Sequence, residues 1–218
     1  RLSNVGRTLN ELIAQGQASS NPLMMRAIAN AVGRASDATA SLHTALRDNE
    51  LPQMTYNGSN KLAKQLHLVA RMIASREELG MQKQVFFVLM GGWDTHDAQS
   101  PRMQELTQDL NKGLSSFQAE LAAQGVAENV TTFTASDFGR TLTSNGDGTD
   151  HGWGSHHIVM GGSVSGGRVY GELPVVADDG PDDVGRGRVI PTSAVDQYAA
   201  TLGTWMGVGS DDLQTVVP

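Results

Sequence analysis

The chain has 218 residues, enough to bury a substantial core, with 39% hydrophobic and 18% charged residues and no cysteine. No apolar run approaches the ~20 residues that span a bilayer, which excludes a transmembrane helix, and without cysteine there can be no disulfide, thiolate zinc site or cysteine nucleophile. Sixteen Lys and Arg against 23 Asp and Glu leave a net charge of -7, the wrong sign for gripping nucleic-acid phosphates over a broad face. Any metal must therefore be held by oxygen and imidazole, and the redox compartment stays open.

The sequence starts at Arg1 with neither Met nor a signal segment, which reads as a piece of a longer protein. Composition then divides it at Gly80. Residues 1–80 hold 5 of the 25 glycines, nine basic and six acidic residues, whereas residues 81–218 hold 20 glycines, seven basic and 17 acidic ones. The first part predicts helices over Val5–Gln15, Pro22–Arg47 and Asn60–Leu79, each with apolar residues three and four apart. Leu62, Leu66, Val69, Met72 and Ile73 share a face in the third and read as core packing. Asp48–Ser59, with Pro52 and Gly58, reads as a linker.

Past Gly80 the pattern alternates strand and helix. Gln84–Met90 is a continuous apolar, β-rich run bounded by Gly91-Gly92, which predicts a strand covered on both faces in a parallel sheet. Pro101–Gln124 predicts a helix with Met103, Leu106, Leu110, Leu114, Phe117 and Leu121 on one side, and Asn129–Ala135 a second strand. Together these make a βαβ unit. A glycine-rich loop follows over Ser144–Ser155, then a short strand at His157–Met160, a hairpin near Gly166-Gly167 into Arg168–Tyr170, an acidic loop Asp178–Asp183 and a helix Ser193–Met206. The expected fold class is α/β, a mostly parallel sheet with flanking helices over residues 81–218, preceded by a helical segment over residues 1–80.

Ligands of open α/β sheets bind beyond the carboxyl ends of the strands, where both predicted strands deliver ionisable residues. The first brings Asp94 and His96, the second Asp137 and Arg140, more than forty residues away in sequence. Asn145–His157 then crowds five Asp or His among four glycines in thirteen positions. Carboxylates and imidazoles are ligands for zinc, manganese and related divalent ions, and glycine lets neighbouring side chains approach one ion. The adjacent Asp150-His151 pair suits two ions a few ångströms apart better than one. Each residue also has a structural reading: Asp137 could cap a helix beginning near Phe138, Thr149–His151 could form an Asx turn, and Arg140 could contact an anion or pair with a carboxylate.

The segments Gly91–His96 (GGWDTH), Ser136–Thr141 (SDFGRT), Gly148–Gly154 (GTDHGWG), Met160–Gly162 and Tyr170–Pro174 (YGELP) together resemble the bacterial domain-of-unknown-function family numbered 1501. The resemblance runs from about Gln84 to the C-terminus and more loosely covers the preceding helices, so the chain resembles the C-terminal half of such a protein. It implies an alkaline phosphatase- and sulfatase-like scaffold, often exported by the twin-arginine route to the periplasm. It also implies a hydrolase of phosphate or sulfate esters holding two divalent ions (zinc, manganese, calcium or magnesium). Asp94, His96, Asp137, Asp150, His151 and His156 would be the ligands and Arg140 a contact for a small anionic ester. The nucleophile would come from the N-terminal half of the same protein, outside this chain. The competing reading is a non-catalytic exported binding or assembly protein that keeps the scaffold and uses these residues for a structural ion or for loop hydrogen bonds.

Overall fold

The computed structural model describes residues 2–48, 51 and 59–217, and the predicted linker at 48–59 falls almost entirely outside them. The chain divides into two compact units, residues 1–51 with 71–84 and residues 52–70 with 85–218, so the compositional step at Gly80 lies close to one of the crossings.

In the first unit, α1 (Leu2–Gly16) and α2 (Leu23–Asp48) form a helical hairpin. A Cβ on Gly16 would lie 2.7 Å from that of Ala29, so glycine allows the two backbones to approach here. Asn21 finishes α1 by donating from Nδ2 to the carbonyls of Gln15 and Gly16 at 2.6 and 3.2 Å, two acceptors that the helix itself leaves unused. Buried Ser75 and the Arg71 guanidinium donate to the carbonyls of Ala45 and Leu46, tying down the last turn of α2.

In the second unit the core is Leu62, Ala63, Leu66, Val69 and Ala70 of α3 (Lys61–Ala74) with Phe117 and Leu121 of α4 (Gln99–Ala123). Leu62, Leu66 and Val69 belong to the apolar stripe expected from the sequence, whereas Ala63 and Ala70 extend it and Met72 is only half-buried. Asn60 caps α3, its Oδ1 accepting from Ala63 N at 2.9 Å while its Nδ2 donates to the Asp109 carbonyl on α4 at 2.9 Å. At the other end of the contact Gln124 Nε2 donates to the Ala70 carbonyl at 3.3 Å.

The described residues form no parallel sheet. Strands β1 (Thr131–Phe133) and β4 (Val159–Gly161) pair antiparallel, Thr132 opposite Met160, and β2 (Gly139–Ser144) pairs antiparallel with β3 (Thr149–Gly152). Gln84–Met90, expected as a buried parallel strand, joins no ladder among the described residues; the Gln65 side chain of α3 bonds the N–H and carbonyl of Leu89 where a neighbouring strand would. The expected hairpin into Arg168–Tyr170 is likewise an irregular turn, closed by Tyr170 Oη donating to the Ser165 carbonyl at 2.8 Å. The helix considered after Asp137 is instead β2, and a third of the expected glycine loop, Thr149–Gly152, is strand β3. Two helices close the chain, α5 (Val195–Trp205) and α6 (Ser210–Val216), the latter without an expectation from the sequence. No described helix is long and apolar enough to cross a membrane.

Candidate metal centre

The site is built where the β2–β3 hairpin lies against the loop that precedes α4. Register places Arg140 opposite His151, so both side chains leave one face of the hairpin as cross-strand neighbours. A register shift between Arg140 and Ser144 bends β2, and Thr141 fills the irregularity by accepting the Asp150 N–H on Oγ1 at 3.1 Å. Gly148 lets the hairpin tip touch the other loop: a Cβ there would lie 2.4 Å from the His96 backbone. Asp147 latches the tip to the start of α4, its Oδ2 accepting from Ala98 N at 3.1 Å and its carbonyl from Gln99 N at 3.0 Å.

Three donors converge there. Asp94, His96 and His151 each offer one ligand atom, all within 4.8 Å of one another. His151 Nε2 lies 2.7 Å and His96 Nε2 3.0 Å from Asp94 Oδ1. An ion bound at ~2.0–2.2 Å separates tetrahedral ligands by roughly 3.2–3.6 Å, so small side-chain rotations would admit one. Oxygen and imidazole donors suit zinc and related divalent ions, and the three residues can hold a metal ion. Among the described residues this is the one such group of three.

Neighbouring side chains fix its geometry. Phe138 stacks on the His151 ring at 3.9 Å between centroids, nearly parallel, and the His96 and His151 rings stack at 5.0 Å. Asp150 Oδ1 lies 3.4 Å from His96 Nδ1, so a carboxylate orients the ring whose other nitrogen faces Asp94. Asn145 Nδ2 in turn donates to Asp150 Oδ1 at 3.2 Å and to the His96 carbonyl at 3.1 Å. The hydrogen bond from His151 holds the Asp94 carboxyl below its ordinary range, overcoming partial desolvation with help from the charges of His96, His151 and Arg140. For Asp150 the hydrogen bond from Asn145 does the same, again against desolvation, with His96 and Arg186 adding to it.

Of the remaining expected residues, Asp150 and Arg140 touch this group as partners of His96 and Asp94, whereas Asp137 and His156 are not brought into it. Arg140 Nη2 donates to Asp94 Oδ1 at 3.1 Å and to the Trp93 carbonyl at 2.8 Å, and Nη1 to the Thr149 carbonyl at 2.9 Å. Its guanidinium is thus engaged by the protein and positions Asp94. Asp137 is exposed at the bend before Phe138, and His156 is exposed on the way to β4; neither makes a hydrogen bond or ion pair among the described residues. His157 turns away to stack on Tyr198 with ring centroids 6.0 Å apart, and burial, then the charge of His156, pushes its pKa down. Sequence reasoning missed Asn145, Phe138 and Arg186, whose Nη2 sits 3.3 Å from Asp150 Oδ2. Asn145 lies inside the flagged glycine-rich run; Arg186 carries no local signal.

Comparison with known families agrees with the motifs. The chain belongs to the family described as protein of unknown function (DUF1501), whose model matches residues 3–213. No curated protein and no solved structure matches it.

Proposed function

Starting from membership of that family, we propose that the chain carries the metal centre of a hydrolase of phosphate or sulfate esters on an alkaline phosphatase-like scaffold. The observation that carries the reading is the meeting of one carboxylate and two imidazole nitrogens within 4.8 Å on side chains that remain open to a small ester. Bound there, a divalent ion supplies charge to polarise the ester oxygen and to lower the pKa of an attacking water or hydroxyl. The chain's own residues prepare that chemistry: Asp150 and Asn145 orient His96, Phe138 holds the His151 ring, and Arg140 holds Asp94. Arg186, its side chain 68% exposed, can turn its guanidinium to an anionic ester. The finer form of the proposal adds a second ion, a nucleophile from polypeptide outside the chain, and export to the periplasm.

The test is metal analysis after metal-replete preparation and desalting, followed by hydrolysis of p-nitrophenyl phosphate and p-nitrophenyl sulfate by the complete protein. At least one divalent ion per chain, lost in His151→Ala together with the hydrolysis, is the expected result. A protein that retains no divalent ion and leaves both esters intact would overturn the reading in favour of a non-catalytic scaffold.

A further inference from the structure

The α1–α2 hairpin has two unlike sides. On one, the groove between the helices is lined by Asn10, Gln17, Asn30, Arg34 and Asp37. Helical spacing turns Leu12 of α1 and Met25, Ile28 and Val32 of α2 to the other, with Leu9 at its edge, and these five are 40–59% exposed. The contact between α1 and α2 uses small residues instead: Gly16 meets Ala29, Gly33 meets Ile13, and Ala29 and Ala45 are the buried apolar side chains of the hairpin among the described residues. Two helices joined by so little apolar burial are marginal in water, because a helix draws most of its stability from a packed face.

The pattern of α2 accounts for the bare side. Met25, Ile28, Val32, Ala35, Thr39 and Leu42 recur at spacings of three and four, the repeat of a coiled-coil seam, and none is charged. Ala29 and Gly33, one residue further along, belong to the adjacent row that meets α1. A helix with two adjacent seams suits two neighbours, as in a four-helix bundle, and α1 supplies one of them.

We propose that the second seam packs on the same seam of a second copy of the chain, two hairpins forming a four-helix bundle about a two-fold axis. With α2 antiparallel to its counterpart and the axis near Ile28, Met25 of one copy lies against Val32 of the other, and the patch is self-complementary as an isologous contact requires. The size agrees. The five exposed side chains bury on the order of 500 Å² per copy, and the small and polar residues beside them bring the contact toward the ~800 Å² per partner of a standard interface. A membrane surface matches less well, since residues 8–47 contain no Phe, Tyr, Trp or Lys and the opposite side sets Asp37 beside Arg34 in place of a basic face.

The experiment is sedimentation equilibrium of the 1–218 chain over a dilution series, with circular dichroism to follow helix content. A monomer–dimer equilibrium is expected. Val32→Glu should raise its dissociation constant about 30-fold or more with helix content unchanged. Adding Met25→Lys to Val32→Glu places opposite charges across the two-fold contact and should recover most of that loss. Phe87→Glu, in the other exposed apolar row, should leave the equilibrium as it was. A monomer at every concentration overturns the proposal. So does a dimer that Val32→Glu leaves intact, that the double variant fails to restore, or that Phe87→Glu dissociates. No metal enters the test, so its outcome is independent of the hydrolase reading.

Discussion

Asp94 Oδ1 receives two imidazoles and a guanidinium within 3.1 Å, and this crowding defines which neighbouring residues bind and which orient. If Asp150 orients His96, Asp150→Asn should weaken zinc affinity by about 10–100-fold without abolishing it, whereas His151→Ala should remove measurable binding; calorimetric titration separates the two. Asp183 tests the same kind of argument away from the metal. Desolvation pushes its carboxyl up, but N–H groups of Asp179, Gly187, Gly185 and Arg188 outweigh this and hold it below the ordinary carboxylate value. Its folded-state pKa is therefore depressed, so the stabilisation is complete above the unfolded value and is lost as pH falls through the folded one. Amide exchange at Gly185 and Gly187, corrected for intrinsic rate, should accelerate as pH drops below about 4, and in Asp183→Ala it should be fast at every pH. At this scale the sequence was informative where chemistry is crowded. Asp94, His96 and His151 were all legible from their motifs, whereas Arg186 was not, because its relation to Asp150 arises only when the loop after Asp183 folds back.

The hairpin carries the site because it brings residues 139–152 onto the backbone of Thr95 and His96, and Gly148 is the point of closest approach. Gly148→Ala puts a methyl 2.4 Å from the His96 carbonyl carbon and oxygen, so the tip must lift. The expected cost is about 1–3 kcal/mol in thermal or denaturant unfolding, accompanied by weaker metal binding. Should the variant bind zinc and melt like the parent, the hairpin tip would not be the element that positions His96. Helices were the elements most legible in advance: α2 and α4 begin and end within two residues of their expected bounds, since three-and-four periodicity is local information. Strand pairing is not local. An apolar run such as Val85–Met90 reads alike whether its neighbours are parallel, antiparallel or on another stretch of polypeptide, and β1 found an antiparallel partner thirty residues away that its sequence does not announce.

For the whole molecule, ligand linkage gives the broadest test, because an ion that binds the folded site and not the unfolded chain stabilises everything cooperative with that site. Asp94, His96 and His151 come from two segments separated by more than fifty residues, with α4 and β1 between them, so the unfolded chain cannot present them together. Zinc at 100 times its dissociation constant should therefore add about 2.7 kcal/mol to the stability of the unit that holds the site, roughly 5–10 °C in melting temperature for a domain of this size. The first unit, residues 1–51 with 71–84, contains none of the three ligands and should melt at the same temperature with and without the ion. Differential scanning calorimetry resolves the two responses, chelation by EDTA should reverse the shift, and His151→Ala should show none. A shift that survives in His151→Ala would place the ion elsewhere on the chain. A shift shared equally by both transitions would mean that the two units unfold as one, and the linkage would then report on the whole chain.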